Sequence, residues 1–511
     1  MSNDPRASAP QATVSPANLA FAHAAWFGHP RGLATLFFTE MWERFSYYGM
    51  RALLVLFMTA PLTGVNPGLG FDIGKSSAVY GLYTSLVYLV ALPGGWIADK
   101  LWGQRRAVFV GGCIIAAGHF SMAIPTVQTF YLGLLLIVLG TGLLKPNVST
   151  MVGELYPEGG ARRDAGFSVF YMGINLGAFL GTILCGLFGE GYNFHWGFSL
   201  AGIGMVLGLI QYKLGGKYLG DVGALKSDDT PEALARRGRT FSTLAAGVAA
   251  AVAALVYLMA SGALPLTIQQ VATVLGYGIL IVSGLFFLYL FVAGGLTPLE
   301  KKKLGVIVWL YLLAAMFWSG FEQAGSSMNL FARDLTARTV GGWEMPASWL
   351  QNVNPILIVI MAPLFGGLWT WLARRNANPS IPVKFALGLL GLSAGFFVLA
   401  WGSANASATN RVSMVWLVVT YFLHTAGELC LSPVGLSSMT KLAPKGRVGQ
   451  MMGVWFIAAA LGNLLAGLQA GRLEELPPTE LFQSVALLVG GAGLAAMLMA
   501  WFVNRLAGRL E

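Results

Sequence analysis

The 511-residue sequence is 56% hydrophobic and 11% charged, with a mean hydropathy of +0.66. A soluble domain carries about 25% charged residues, so the composition excludes a soluble globular protein and predicts an all-α polytopic membrane protein. The net charge of +10 does not signal nucleic acid, because the basic residues fall in the gaps between apolar spans.

Residues 1–30 are polar, rich in Ala, Ser and Pro, and carry no hydrophobic run of signal-peptide type. They read as a mobile cytoplasmic tail. Six spans follow at 33–60, 77–98, 106–125, 129–152, 166–189 and 196–216. A polar stretch, Asp221 to Arg239, separates them from two further apolar segments, 241–262 and 268–294. A basic break at Glu300 to Lys303 leads to six more: 304–330, 350–373, 383–402, 412–438, 448–470 and 481–504. The expected organisation is a tail (1–30), a six-helix bundle (31–220), a linker with two extra transmembrane helices (221–303) and a second six-helix bundle (304–511). The middle pair, free of charge over 241–294, reads as lipid-facing scaffold. The layout suits a transporter built from repeats.

Of 32 Lys and Arg, only Lys75, Arg333, Arg338, Arg411 and Arg472 lie in odd-numbered gaps, and Arg44, Arg51 and Lys145 lie inside spans. The rest lie in the even gaps, the termini or the span ends that border them (Arg106, Lys213 and Lys384). This imbalance predicts that both termini are cytoplasmic.

The first span reads Glu40-Met-Trp-Glu43-Arg44-Phe-Ser-Tyr47-Tyr48-Gly49-Met-Arg51. At about 100° per residue, Glu40, Glu43, Arg44, Tyr47 and Arg51 share one helical face, with Tyr48 at its edge. A charge at bilayer depth costs roughly 2.5–3.5 kcal/mol, so such a face must pair or line a wet cavity. Paired charges could simply hold helices together, but four on one face exceed what packing needs.

At the end of span two, Gly94-Gly-Trp-Ile-Ala-Asp99-Lys100-Leu-Trp-Gly103-Gln-Arg105-Arg106 combines helix-packing glycines with an acid able to pair with a neighbouring basic helix end. It resembles the loop motif that latches the cytoplasmic side of major facilitator proteins. Lys145 stands before Pro146 deep in span four, facing inward or snorkelling to the interface. Asn175 lies among small residues of span five, suited to joining helices or touching a ligand. The second half adds Glu322 after Trp318 in span seven, Asn354-Pro355 in span eight, His424 and Glu428 in span ten, and Trp455 in span eleven. His424 and His119 read as packing residues, as do Cys113, Cys185 and Cys430. Neither residue type forms a metal motif or a nucleophile–base pair, so no metal, cofactor or enzymatic centre is expected. The intramembrane inventory is four acids (Glu40, Glu43, Glu322, Glu428) against three bases (Arg44, Arg51, Lys145). Unpaired, they would cost on the order of 20 kcal/mol. A surplus acid also suggests that a carboxylate can hold a proton.

The first-span motif resembles the signature of the proton-dependent oligopeptide transporter (POT or PTR) family. Phe170 to Gly181 resembles its second signature, and Lys145-Pro146-Asn147, Phe321-Glu322-Gln323, Asn354-Pro355 and Gly427-Glu428 with Ser432-Pro433 fit as well. The resemblance covers residues 30–505, and the extra helix pair is like that of bacterial members. It implies a major facilitator superfamily fold, an inner-membrane location, a monomer, and proton-coupled symport of di- and tripeptides, with protons as the coupling ion. By motif, Arg44 and Lys145 would receive the peptide carboxylate, with Tyr48 nearby. Asn175 would contact the peptide backbone, and Glu428 with Asn354 would meet the amine. Tyr88, Trp318 and Trp455 would wall side-chain pockets. Glu322 would be a proton site paired with Arg51, while Glu40 and Glu43 would couple the proton to Arg44 and Lys145. Asp99 would belong to the latch. Phe321 stands where some relatives carry a second acid, and span two lacks the histidine of animal members, so proton handling rests on the carboxylates. The alternative is a same-fold proton symporter for another small anion, such as nitrate or an organic acid.

Overall fold

The computed structural model describes residues 25–226 and 229–507. Most of the expected tail, and Ser227 and Asp228 of the linker, lie outside the described residues. The chain is almost wholly helical. In order, the helices are α1 (Arg31–Thr59), α2 (Ile73–Ile97), α3 (Gln104–Met122), α4 (Val127–Glu154), α5 (Gly160–Gly191), α6 (Phe194–Gly215), α7 (Pro231–Ala260), α8 (Ile268–Ala293), α9 (Pro298–Phe321), α10 (Ser327–Leu335), α11 (Val353–Arg374), α12 (Ile381–Ser403), α13 (Val415–Leu442), α14 (Val448–Gly471) and α15 (Pro478–Ala507). Among the described residues, 12 helical segments are long and apolar enough to cross a membrane by composition alone. Two long helices fall short of that measure: α1, which carries the buried charges, and α3, which opens on Arg105 and Arg106.

The expected spans all appear as helices, and local sequence explains how several begin. Asp72 caps α2 by accepting from the Lys75 amide, and Thr230 caps α7 ahead of Pro231 at the first helical position. Thr267 with Gln270, and Thr297 with Glu300, form reciprocal capping boxes at α8 and α9. These caps explain two departures from the reading above. Arg236, Arg237 and Arg239 lie within α7, and Lys301 to Lys303 within α9. The basic runs are helical ends reaching out of the apolar layer, not loops. The long continuous span expected at 304–330 is also broken. It ends at Phe321, passes through a 3₁₀ turn at Glu322–Gly325 and restarts as α10. Gly325 lies so close to the Tyr80 ring that a side chain there would collide with it.

The helices form two six-membered sets, α1–α6 and α9–α15 with α10 as the short continuation of α9. The α1 helix packs along α5 and α6, α3 along α4, and α12 between α13 and α15. Glycines allow the closest approaches. A Cβ at Gly177 or Gly181 of α5 would strike the α1 backbone at Met41 or Phe45. The two sets meet along α2 and α14, where Gly81 and Gly467 face each other. The α8 helix lies across this seam against both. The α7 helix has no buried residue in its apolar window and touches the bundle through Trp96 and Phe241, ring centroids 5.8 Å apart.

Candidate functional site

Between the two sets lies a cavity of about 250 Å³. One wall comes from α1 (Tyr48, Arg51), α2 (Tyr88) and α5 (Tyr171, Asn175, Thr182). The facing wall comes from the end of α9 and the 3₁₀ turn after it (Trp318, Phe321, Glu322), the 3₁₀ turn before α11 (Gln351), the start of α11 (Asn354) and α13 (Tyr421, His424, Glu428). Tyr48, Tyr88, Asn175, Trp318, Asn354 and Glu428, six of the expected site residues, thus line one cavity. Arg44, Lys145 and Trp455 are not among the lining residues.

The charges on α1 divide into two groups. Arg44 Nε lies 3.0 Å from Glu40 Oε1 and 2.5 Å from Glu43 Oε2, all three side chains being almost fully buried. Glu40 and Arg44 are one turn apart, so the helix itself sets their contact. The second oxygens of Glu40 and Glu43 and Nη2 of Arg44 have no hydrogen-bond partner among the described residues. Lys145 points its Nζ at the Tyr88 ring, 4.2 Å from the centroid. Tyr88 therefore stands between that ammonium and the cavity.

The second group spans the two sets. Arg51 Nη2 lies 2.7 Å from Glu322 Oε2, and its Nε–H donates to the Tyr80 hydroxyl at 2.6 Å. The break after Phe321 brings Glu322 to this position, on a tight turn instead of a regular helical face. On the opposite wall, Asn354 Nδ2 donates to Glu428 Oε2 at 3.1 Å and to Thr425 Oγ1 at 3.0 Å. Asn354 lies in the first turn of α11 beside Pro355, which has no backbone N–H. Asn175 donates to the Tyr171 carbonyl one turn back and lines the cavity from α5. The Trp318 indole N–H is buried without a hydrogen-bond partner among the described residues.

The remaining expected residues take other places. Trp455 is buried against Phe385 and the close face of Gly435, behind the cavity wall. Asp99 is exposed in a π-helical turn, Ala98–Trp102, and accepts a hydrogen bond from Gln104 instead of meeting a basic helix end. His119 is fully buried, consistent with packing. His424 packs against Phe396, yet it also lines the cavity. Cys185 is packed under Gly49, whereas Cys113 is exposed on the outer surface of α3.

Several lining residues escaped the sequence reading. Tyr421 precedes Glu428 by seven residues and Gln351 precedes Asn354 by three, so helical spacing from the recognised polar residues could have found both. Glu190 gave no such signal. At the end of α5 it accepts from the Ala347 and Ser348 amides at 2.8 and 2.9 Å and from the Ser348 hydroxyl, capping the 3₁₀ turn Ala347–Asn352 of the other set. Asn329 to the Ala52 carbonyl, Arg333 to Thr59 and Trp349 to the Ile183 carbonyl are further bonds between the sets. All of these lie on the face away from the start of α1. The sets are thus fastened beyond the cavity on that face.

A model described as the POT family matches residues 105–482. The chain is 41% identical over 489 residues to the peptide transporter YePEPT of Yersinia enterocolitica, covering 93% of this chain and 95% of that one. It is 38% identical over 447 residues to a di-/tripeptide transporter of Lactococcus lactis subsp. cremoris, covering 86% and 89%. A crystal structure of a peptide transporter POT in complex with sulfate matches with a TM-score of 0.87 at 39% identity, covering 96% of this chain and 99% of that one. With a major facilitator fold, a polar cavity between two six-helix sets and this likeness over nearly its whole length, the chain belongs to the POT family of membrane transporters.

Proposed function

We propose that this protein imports di- and tripeptides in symport with protons, the peptide being held between the two six-helix sets and exposed alternately to either side. The observation that carries this reading is the pairing of opposite chemistries across one cavity. Glu428, oriented by Asn354, stands on one wall, and Arg51 and Tyr48 stand on the other. A short peptide is a zwitterion, and Glu428 facing the side that holds Arg51, with Lys145 behind Tyr88, suits its dipole once those cations leave Glu322 and the Tyr88 ring. The aromatic lining of Tyr88, Tyr171, Trp318 and Phe321 leaves side chains loosely read, which favours broad specificity. The relatives named as peptide and di-/tripeptide transporters point the same way. An anion symporter would have little use for Glu428.

Arg44 and Lys145 are the carboxylate receptors in this reading, although each is now occupied, Arg44 by Glu40 and Glu43, Lys145 by the Tyr88 ring. Proton uptake on the Glu40 and Glu43 side frees Arg44. Proton uptake by Glu322 releases Arg51 and loosens the link between the sets. The fastened face is then the periplasmic one, and both termini are cytoplasmic in the inner membrane, as the Lys and Arg distribution favours. The protein works as a monomer, each chain holding a complete cavity. Alternating access is rocking of the two sets about that site.

The test is uptake of a dipeptide into proteoliposomes with and without an inward proton gradient. Accumulation is expected to follow the gradient, to be competed by free di- and tripeptides, and to be insensitive to amidated or acetylated ones. Equal competition by blocked peptides, or accumulation of nitrate or an organic acid in place of peptide, would overturn the proposal.

A further inference from the structure

On the same face as the start of α1, a groove of about 460 Å³ runs between α1 and α6, remote from the central cavity. It is open to the outside of this helix pair. Its upper end is basic. Arg31 begins α1, and its guanidinium lies 4.2 Å from the centre of the Tyr218 ring. Lys217 follows the end of α6, its Nζ 5.1 Å from the same ring. No acid lines the groove, and neither cation has a salt bridge among the described residues. Apart from Gln211, the remaining wall is mostly apolar, with Phe38, Ile210 and Leu214 exposed by 36%, 51% and 70%. The floor is closed because Thr35 sits against Gly215 and donates to its carbonyl at 3.2 Å.

We infer that this groove is a binding site for one anionic glycerophospholipid. Its two ends match the two ends of such a molecule. A phosphodiester meets a guanidinium and an ammonium at the level where α1 and α6 leave the apolar layer. Arg31 supplies a planar fork of donors and Lys217 a point charge. The acyl chain continues down the Phe38, Ile210 and Leu214 wall. Basic pockets between helices at the membrane surface hold anionic headgroups on this principle, each Lys or Arg near the surface contributing to the attraction. A zwitterionic headgroup gains less, because its own cation meets two more, and a free phosphate gains nothing from the apolar wall. The site also has a structural consequence. Arg31 and Glu40 lie on one helix, little more than two turns apart, so a bound lipid braces the α1 segment that carries Glu40, Glu43 and Arg44.

The test uses the full chain, delipidated in detergent. Phosphatidylglycerol, phosphatidylcholine of the same acyl chains, and glycerol 3-phosphate are added in turn, with adduct retention read by native mass spectrometry and unfolding temperature alongside. Phosphatidylglycerol is expected to be retained and to raise the unfolding temperature, with the other two doing so at least tenfold less effectively. The Arg31→Ala/Lys217→Ala variant is expected to lose roughly tenfold or more of that affinity. Lys302→Ala/Lys303→Ala, which removes the same charge at the start of α9, is expected to keep it. Should the first variant fail to fold, Ala34→Phe, which fills the groove and leaves both cations, is expected to lose the lipid as well. Equal retention of phosphatidylcholine, equal loss in the α9 control, or undiminished retention in Ala34→Phe would overturn the inference. Only stabilisation by glycerol 3-phosphate alone would turn the groove into an anion site with no lipid role, which also overturns it.

Discussion

Arg51 of the first helix and Glu322 of the turn that follows the ninth lie 2.7 Å apart and join the two halves of the molecule at the edge of the central cavity. Both side chains are more than 90% buried, so neither charge is held by solvent. Removing one partner of such a pair costs about 3–5 kcal/mol, because the other is left desolvated. Glu322→Gln keeps the shape and a hydrogen-bond acceptor but cannot exchange a proton. It is expected to bind and exchange peptide across a membrane at equal concentrations while losing gradient-driven accumulation. Counterflow and gradient-driven uptake measured on the same proteoliposomes check this. Gradient-driven accumulation at the parental level in Glu322→Gln would remove Glu322 from the proton path.

Glu428 sits across the cavity with Asn354 donating to one of its oxygens, which leaves the other free to receive an ammonium. A hydrogen bond to a charged partner contributes about 1.5–3 kcal/mol, or roughly ten- to a hundredfold in affinity. Glu428→Gln is therefore expected to weaken binding of free dipeptide by about that factor and to erase the preference for a free over an acetylated amino terminus. Asn354→Ala is expected to show a smaller loss of the same kind. Thermal-shift titration against the peptide and its acetylated form measures both, and a retained preference in Glu428→Gln would place the amine elsewhere.

Packing of α1 on α5 sets where Arg44 stands. A Cβ on Gly177 would lie 2.9 Å from the Arg44 Cβ and closer still to the Met41 carbonyl. Overpacking of this kind costs about 1–3 kcal/mol when backbone must shift. Gly177→Val is expected to lower the unfolding temperature in detergent and to impair transport beyond the loss of folded protein, because the Glu40–Glu43–Arg44 group moves with α1. A control at Gly278, where a Cβ meets nothing within 4 Å, is expected to be silent. Equal effects at the two glycines would sink the packing argument.

How much of this was legible in the sequence depends on the range over which each feature is set. The shared face of Glu40, Glu43, Arg44 and Arg51 follows from helical periodicity alone, and the structure buries that face. The two six-helix sets follow from the spacing of apolar runs. The break at Glu322–Gly325 was not readable, since it answers to the Tyr80 ring of a distant helix. Trp455 illustrates the converse. Its place on α14 was right, but whether it faces the cavity or Phe385 depends on how α13 and α14 are rotated against each other, which no single helix encodes. Arg236 to Arg239 read as a loop because charge suggests exposure, whereas a Thr-Pro cap makes exposed helix of them.

Glu190 is the feature that only the structure could reveal, and it bears on which face opens. Its carboxylate caps the 3₁₀ turn Ala347–Asn352 through two backbone amides and the Ser348 hydroxyl, across the boundary between the sets. A capping interaction is worth about 0.5–2 kcal/mol, enough to shift a two-state equilibrium several-fold when the states differ by little. Glu190→Ala is therefore expected to favour separation of the sets on this face. Glu190→Gln, which keeps an acceptor without the charge, is expected to fall between. Spin labels at Val65 and Val340, both exposed and on opposite sets, report the separation in a chain whose three cysteines are replaced by alanine. The distance distribution is expected to gain a longer component in Glu190→Ala, together with a transport rate that depends less steeply on the Arg51–Glu322 pair. An unchanged distribution would mean that the Arg333–Thr59 and Trp349–Ile183 contacts hold this face closed without Glu190.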